Sequence, residues 1–106
     1  MRHFLFVCSH NRARSPTAEW VFAQLPDTEA KSAGLSEYAV KRLTPEMIAW
    51  ADVIFVMERG QRSKLIRQFG VSVAETHVVV LGIRDEYECM DPELVALLTA
   101  KSARWL

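Results

Sequence analysis

The 106-residue sequence lacks the compositional features of disulfide-rich, repetitive, nucleic-acid-binding and membrane-spanning proteins. Two cysteines are too few for a disulfide-rich scaffold, and four glycines with four prolines leave no repeat, linker or low-complexity segment. Because 13 basic and 13 acidic side chains cancel, no net field favours nucleic acid or a membrane as a partner. No apolar run is long enough for a membrane span or a secretory signal. We therefore expect a single domain, residues 1–106, in the cytoplasm.

What the sequence does contain is an alternation of short apolar runs and helical patterns. Strands are predicted at 3–7, 29–33, 52–57 and 77–81, and helices at 16–25, 45–51, 59–69 and 92–104, with Gly70 ending the third helix. Right-handed crossovers then give an α/β fold, a four-stranded parallel sheet of order 2-1-3-4 flanked by helices. Such sheets bind ligands beyond the carboxyl ends of the strands, at the switch point between strands one and three.

The loop after the first strand carries the chemistry. It begins at Cys8, ends at Arg14 and leads through Ser15 and Pro16 into a helix. Backbone N–H groups that converge at a helix N-terminus bind anions, and the helix dipole with nearby arginines would hold a cysteine there as the thiolate. Ser15 suits the N-cap and Pro16 the first helical position. The loop therefore predicts a phosphate site with a nucleophile aimed into it.

Three segments in order, residues 7–18, 32–34 and 51–59, resemble the low-molecular-weight protein tyrosine phosphatase family. Together with a C-terminal acidic loop they span most of the chain. The resemblance implies the family fold and the hydrolysis of a phosphorylated protein or small phosphate ester, phosphotyrosine first among them, through a phosphocysteine. No cofactor and no metal are expected.

The same resemblance assigns roles within the loop. Cys8 is expected to attack phosphorus, and Arg14 to hold two phosphate oxygens with its planar fork. Ser15 would donate a hydrogen bond to the thiolate, and Asn11 would hold the loop in shape. His10 and Asn11 are also residue types that tolerate a positive φ. The remaining phosphate ligands would be backbone N–H groups of Ser9, His10, Asn11, Arg12 and Ala13.

A general acid is needed to protonate the leaving oxygen, and two aspartates compete for that role. Asp85 lies just beyond the fourth strand with Tyr87 two residues later, as in the family's acid loop. Asp91 precedes Pro92 and a helical pattern, which marks it as an N-cap. We favour Asp85 as the acid. Tyr87, and Tyr38 on the loop after the second strand, are the candidate substrate-binding aromatics.

The chain also departs from the family pattern. His10 stands where the family commonly has glycine, and Ala13 where it has a second cysteine, so Cys89 is the only other thiol. The segment between residues 34 and 44 is short, and the family places part of its substrate wall there. Part of that wall is therefore expected to be missing from this chain.

Three alternative functions use the same loop. The first is an arsenate reductase on this fold that relies on an external thiol, because only Cys89 is available to relay a disulfide. The second is a non-catalytic phosphate-binding module, against which the presence of Asp85 counts. The third is a carrier that stores phosphate on Cys8 for a partner. The oligomeric state is left open.

Overall fold

Four parallel strands form the sheet in the computed structural model, which describes residues 1–73 and 76–105 without the side chain of Val71. The strands are β1 (Arg2–Cys8), β2 (Thr28–Gly34), β3 (Val53–Val56) and β4 (His77–Val80). Their order is β2-β1-β3-β4, which confirms the predicted topology. Cys8 is paired with Gly34 at the carboxyl ends of β1 and β2. The cysteine therefore lies at the predicted edge, beside the β1–β3 switch point.

Alternate residues of β1 build two cores on the two faces of the sheet. Phe4, Phe6 and Cys8 face helices α1 (Arg14–Ala23) and α4 (Pro92–Lys101). Leu5 and Val7 face α2 (Pro45–Trp50) and α3 (Arg59–Val73). A short 3₁₀ turn, Ala103–Trp105, follows α4. Both faces of the strand are buried, which is why its sequence is a continuous apolar run.

Two helices begin at side-chain caps, and the cap at Asp91 is the predicted one. The Thr44 hydroxyl accepts a hydrogen bond from the Met47 amide at 3.3 Å, and the Asp91 carboxylate accepts one from the Glu93 amide at 2.9 Å. Each side chain satisfies one of the amides that a helix leaves unpaired in its first turn. Within the described residues, no helix is both long and apolar enough to cross a membrane.

The regular part of the third helix ends at Phe69, as predicted, but Gly70 is not the glycine cap that the sequence suggested. Gly70 does not adopt the positive φ of a glycine C-cap, and α3 continues to Val73, whose side chain is buried in the second core. The chain bends instead at Phe69, where φ is −130° and ψ is 21°. A short helical segment follows this kink and places Val73 in the second core.

The predicted start of α1 is also wrong. Ala13 occupies the N-cap position without a side-chain cap, and Ser15 and Pro16 are the second and third helical residues. Proline is still tolerated there because the first four helical amides have no partner within the helix. The Ser15 hydroxyl, released from capping, points into the loop that follows β1.

Candidate active site

The backbone of the loop after β1 has a consistent orientation. The carbonyls of Cys8, Ser9 and His10 accept hydrogen bonds from the amides of residues 35, 36 and 40 at 3.0, 2.9 and 3.1 Å. A trans peptide points its N–H away from its carbonyl. The amides that follow these three carbonyls therefore face the inside of the loop, as an anion site requires.

Asn11 and Ser15 hold this loop around the thiol. Asn11 has a positive φ of 55°, as predicted for this residue type; His10 does not share it. The Asn11 amide donates to Cys8 Sγ at 3.2 Å, and its side-chain Nδ2 donates to Ser15 Oγ at 2.8 Å. Ser15 Oγ lies 3.0 Å from Cys8 Sγ. The sulfur is thus surrounded by groups that can donate hydrogen bonds to a thiolate.

Arg14 is buried, and its guanidinium is held on more than one side. Nη1 donates to the Glu58 carboxylate and, at 2.8 Å, to the carbonyl of Ile83. Its Nε lies 3.9 Å from Asp85 Oδ1. A charged side chain that is 3% exposed needs such partners, because removing it from water without them is costly. These contacts set the direction in which the fork points.

The thiol and the guanidinium open into one cavity of about 230 Å³. Six residues line it: Cys8, His10, Arg12, Ala13, Arg14 and Asp85. After β4 the chain stays hydrogen-bonded to the end of β3: the Leu81 amide donates to the Val56 carbonyl at 2.9 Å, and the Ile83 amide donates to the Met57 carbonyl at 2.8 Å. These bonds carry Asp85 to the cavity. A thiol, a guanidinium and a carboxyl group therefore share one concave site.

A comparison with protein-family models decides which family this is. Residues 3–81 match the model of the low molecular weight phosphotyrosine protein phosphatase family. The chain belongs to that family. It is a phosphatase, and the family's substrates are phosphorylated proteins and phosphate esters. Membership favours hydrolysis over arsenate reduction, anion binding without turnover and phosphate storage.

Solved structures share the fold at low sequence identity. The tyrosine phosphatase Wzb of Escherichia coli K30, in complex with phosphate, is 22% identical with a TM-score of 0.79 over 97% of this chain and 94% of that one. The arginine phosphatase YwlE of Geobacillus stearothermophilus is also 22% identical, with a TM-score of 0.73 over 99% and 93%. A low molecular weight protein tyrosine phosphatase of Streptococcus pyogenes is 18% identical, with 0.78 over 100% and 91%. No curated protein matches the sequence.

The two aspartates that are candidates for the general acid lie in different parts of the phosphatase. Asp85 lines the cavity, with an exposed side chain close to Arg14. Asp91 caps α4 through its bond to the Glu93 amide, and it is not among the residues that line the cavity. The sequence anticipated both positions.

The two predicted substrate aromatics lie outside the cavity lining. Tyr87 is half-buried and packs against the core on the α1 and α4 face. Burial raises its phenol pKa, and the nearby carboxylates of Glu86, Glu93 and Asp91 raise that pKa further. Tyr38 is 75% exposed on the loop that follows β2. Neither ring lines the cavity, and a role in binding the rest of a substrate stays a prediction.

Sequence reasoning did not identify the residues that support the loop. Glu58 holds Arg14, and the buried side chain of Gln61 bonds the amides of Met57 and Glu58 at 2.9 and 3.0 Å while its Nε2 donates to Ser9 Oγ at 3.3 Å. The only sequence signal was their position just after a buried strand that borders the switch point.

Proposed function

We propose that the chain hydrolyses phosphotyrosine in proteins through a phosphocysteine on Cys8. The observation that supports this most is the shared cavity, in which Cys8, Arg14 and Asp85 meet below a loop whose carbonyls are turned outward. Phosphoryl transfer depends mainly on positioning and charge stabilisation, which is what such a cavity offers. Residues 1–106 would act as one cytoplasmic domain.

In the first step, the Cys8 thiolate attacks phosphorus in line with the bond to the leaving oxygen. The S–P bond forms as the P–O bond breaks, and Asp85 gives its proton to the departing tyrosine oxygen. Arg14 and the amides of residues 9–14, those of Ser9 and Ala13 included, hold the equatorial oxygens, where a single lost donor typically costs about 100-fold in rate.

In the second step, water attacks the phosphocysteine. The Asp85 carboxylate takes a proton from that water, the new P–O bond forms, and the thiolate leaves as inorganic phosphate is released. Ser15 Oγ, 3.0 Å from Cys8 Sγ, would stabilise the departing sulfur by donating a hydrogen bond. The acid and the nucleophile are thereby restored for another turnover.

The tyrosine part of the substrate would extend from the cavity toward Tyr38. This ring is exposed, and the amide of Val40 on the same loop donates to the carbonyl of His10 at 3.1 Å, which keeps the loop beside the site. Aromatic rings stack favourably on one another. Tyr87 would limit the site on the acid side while packing against the core.

The assignment of the acid can be tested with two isosteric substitutions. We expect Asp85→Asn to lower kcat/KM for phenyl phosphate by about 100-fold or more, and kcat/KM for nitrophenyl phosphate much less, because kcat/KM reports the first step and a good leaving group needs no proton there. Asp91→Asn is the matched control, since asparagine is an equally good N-cap. If Asp91→Asn shows the leaving-group dependence instead, the assignment of Asp85 is wrong.

The assignment of the nucleophile has its own test. Cys8→Ser should abolish turnover of aryl phosphates while orthovanadate or phosphate still binds, as measured by calorimetry. Turnover retained by this variant would refute the phosphocysteine. A parallel assay for arsenate reduction with added thiols addresses the main alternative, for which reduction without phosphate-ester hydrolysis would be the signature.

A further inference from the structure

Helix α3 carries charge of one sign. Its 15 residues include four cations, Arg59, Arg62, Lys64 and Arg67, and no acidic side chain; we call Arg59 and Lys64, at the end of the helix beside Ser9, the basic face. Lys64 is half-buried and the three arginines are exposed. In residues 1–73 and 76–105, none of the four forms an ion pair, since the pairs present involve His3, Arg14 and Lys41. The basic face is therefore not neutralised by the described part of the chain.

The basic face begins beside the catalytic loop. Gln61, in the first turn of α3, donates to Ser9 Oγ, and Ser9 follows the nucleophile directly. A shallow depression of about 220 Å³ lies at this junction, lined by Ser9, Glu58, Gly60, Gln61 and Lys64. Its one carboxylate, Glu58, is bonded to Arg14. An anionic group bound in the depression would therefore contact Lys64 and would lie next to the loop that contains Cys8.

The other flank of the cavity has the opposite charge. Residues 84–93 contain five acidic side chains and one arginine. The neighbours of this segment, Ile83 and Leu94, are buried in the core on the α1 and α4 face, whereas Leu65 of α3 is buried in the core on the other face. The two flanks therefore lie on opposite faces of the sheet, with the catalytic edge between them.

This asymmetry favours a short acidic segment over a nucleic acid. A long polyanion laid across the cavity would meet the acidic flank, and α3 has no exposed aromatic ring on which a base could stack. We propose that the basic face binds carboxylates that flank the phosphorylated residue of the substrate protein. The proposal rests on the proposed phosphatase function, and it specifies that the preferred substrates are phosphoproteins with acidic residues beside the phosphorylated one.

The expected preference for an acidic substrate is small, because each exposed ion pair contributes little binding free energy. Two such contacts correspond to about a threefold to tenfold higher kcat/KM for an acidic substrate. Salt should reduce the preference, since exposed charges are screened. Electrostatic complementarity of this kind acts mainly on specificity and association rate.

The experiment compares two phosphotyrosine peptides that differ only in their flanks, Asp and Glu in one and Asn and Gln in the other. For the wild type we expect the acidic peptide to have the higher kcat/KM by the factor above. Arg59→Gln with Lys64→Gln should bring the ratio close to one. Lys31→Gln with Arg104→Gln is the matched control, because these cations lie over the rings of Trp50 and Trp105, away from the cavity.

Several results would overturn the proposal. These are a wild-type ratio of one, a ratio that the Arg59 and Lys64 substitutions leave intact, and an equal loss in the control pair. Stronger competition by a single-stranded oligonucleotide than by the acidic peptide would assign the face to nucleic acid. Self-association abolished by the same double substitution would assign it to a second copy of the chain.

A binding measurement separates this proposal from the proposed function. Fluorescence anisotropy with the Cys8→Ser variant gives the ratio of peptide affinities without turnover, so the preference is measured whether or not the wild type hydrolyses the peptides. Failure of the wild type to hydrolyse any phosphate ester would count against the function. A missing affinity ratio would count against the basic face.

Discussion

Substitution of Gly34 by alanine probes how the end of β2 supports the phosphate loop. A Cβ at this position would lie 2.5 Å from Ala39 Cβ, 2.7 Å from the Ser9 carbonyl oxygen and 3.1 Å from the Asn11 amide nitrogen. Two of these atoms belong to the backbone of the loop that surrounds the thiol, so they cannot rotate away as a side chain does. Glycine is therefore required by close approach.

The magnitude follows from those distances. Ordinary van der Waals contact begins at 3.4 Å, so the Ser9 oxygen would have to move by about 0.7 Å. Overpacking of this kind typically costs about 1–3 kcal/mol, which lowers the Tm of a chain of this size by roughly 5–20 °C. Because a shift of about 1 Å in a catalytic group can cost 100-fold, we expect kcat/KM to fall by about tenfold to 100-fold.

The assay combines thermal unfolding with hydrolysis of an aryl phosphate by Gly34→Ala. The matched control is Gly70→Ala, because in the described part of the chain no atom outside the two adjacent residues and the backbone of the same helix lies within 4 Å of a Cβ built at Gly70. Alanine there should leave the rate unchanged and keep or slightly raise the Tm. A Gly34→Ala variant with wild-type Tm and wild-type rate would refute the close contact between β2 and the loop.

Two further predictions concern the site itself. Arg14→Lys should lower kcat/KM for aryl phosphates by about 100-fold or more, because an ammonium cannot replace the fork; a loss below about threefold would contradict the bidentate role. Ser15→Ala should slow breakdown of the phosphoenzyme, seen as a burst of phenol before a slower steady state. It also leaves Asn11 Nδ2 buried without its acceptor, which should cost about 1–3 kcal/mol in urea unfolding. Unchanged kinetics and stability would contradict both contacts.

Local sequence determined much of this protein. The apolar run of β1, right-handed crossovers and short connections lead to a parallel sheet of order β2-β1-β3-β4, with Cys8 at its carboxyl edge. Thr44 and Asp91 cap their helices, and Asn11 takes the positive φ that suits its side chain. These features depend on interactions between near neighbours or on general rules of chain topology, and both can be read from the order of residues.

Tertiary structure decided the features that depend on distant partners. Gln61 reaches Ser9 across 52 positions of sequence, and a short helical segment after the kink at Phe69 places Val73 in the second core. Glu58 meets Arg14 across 44 positions of sequence. Such contacts form only when β1 and β3 are paired, because this pairing brings the loop after β1 next to the residues that follow β3. Periodicity and local propensity contain no information about which distant side chains then meet.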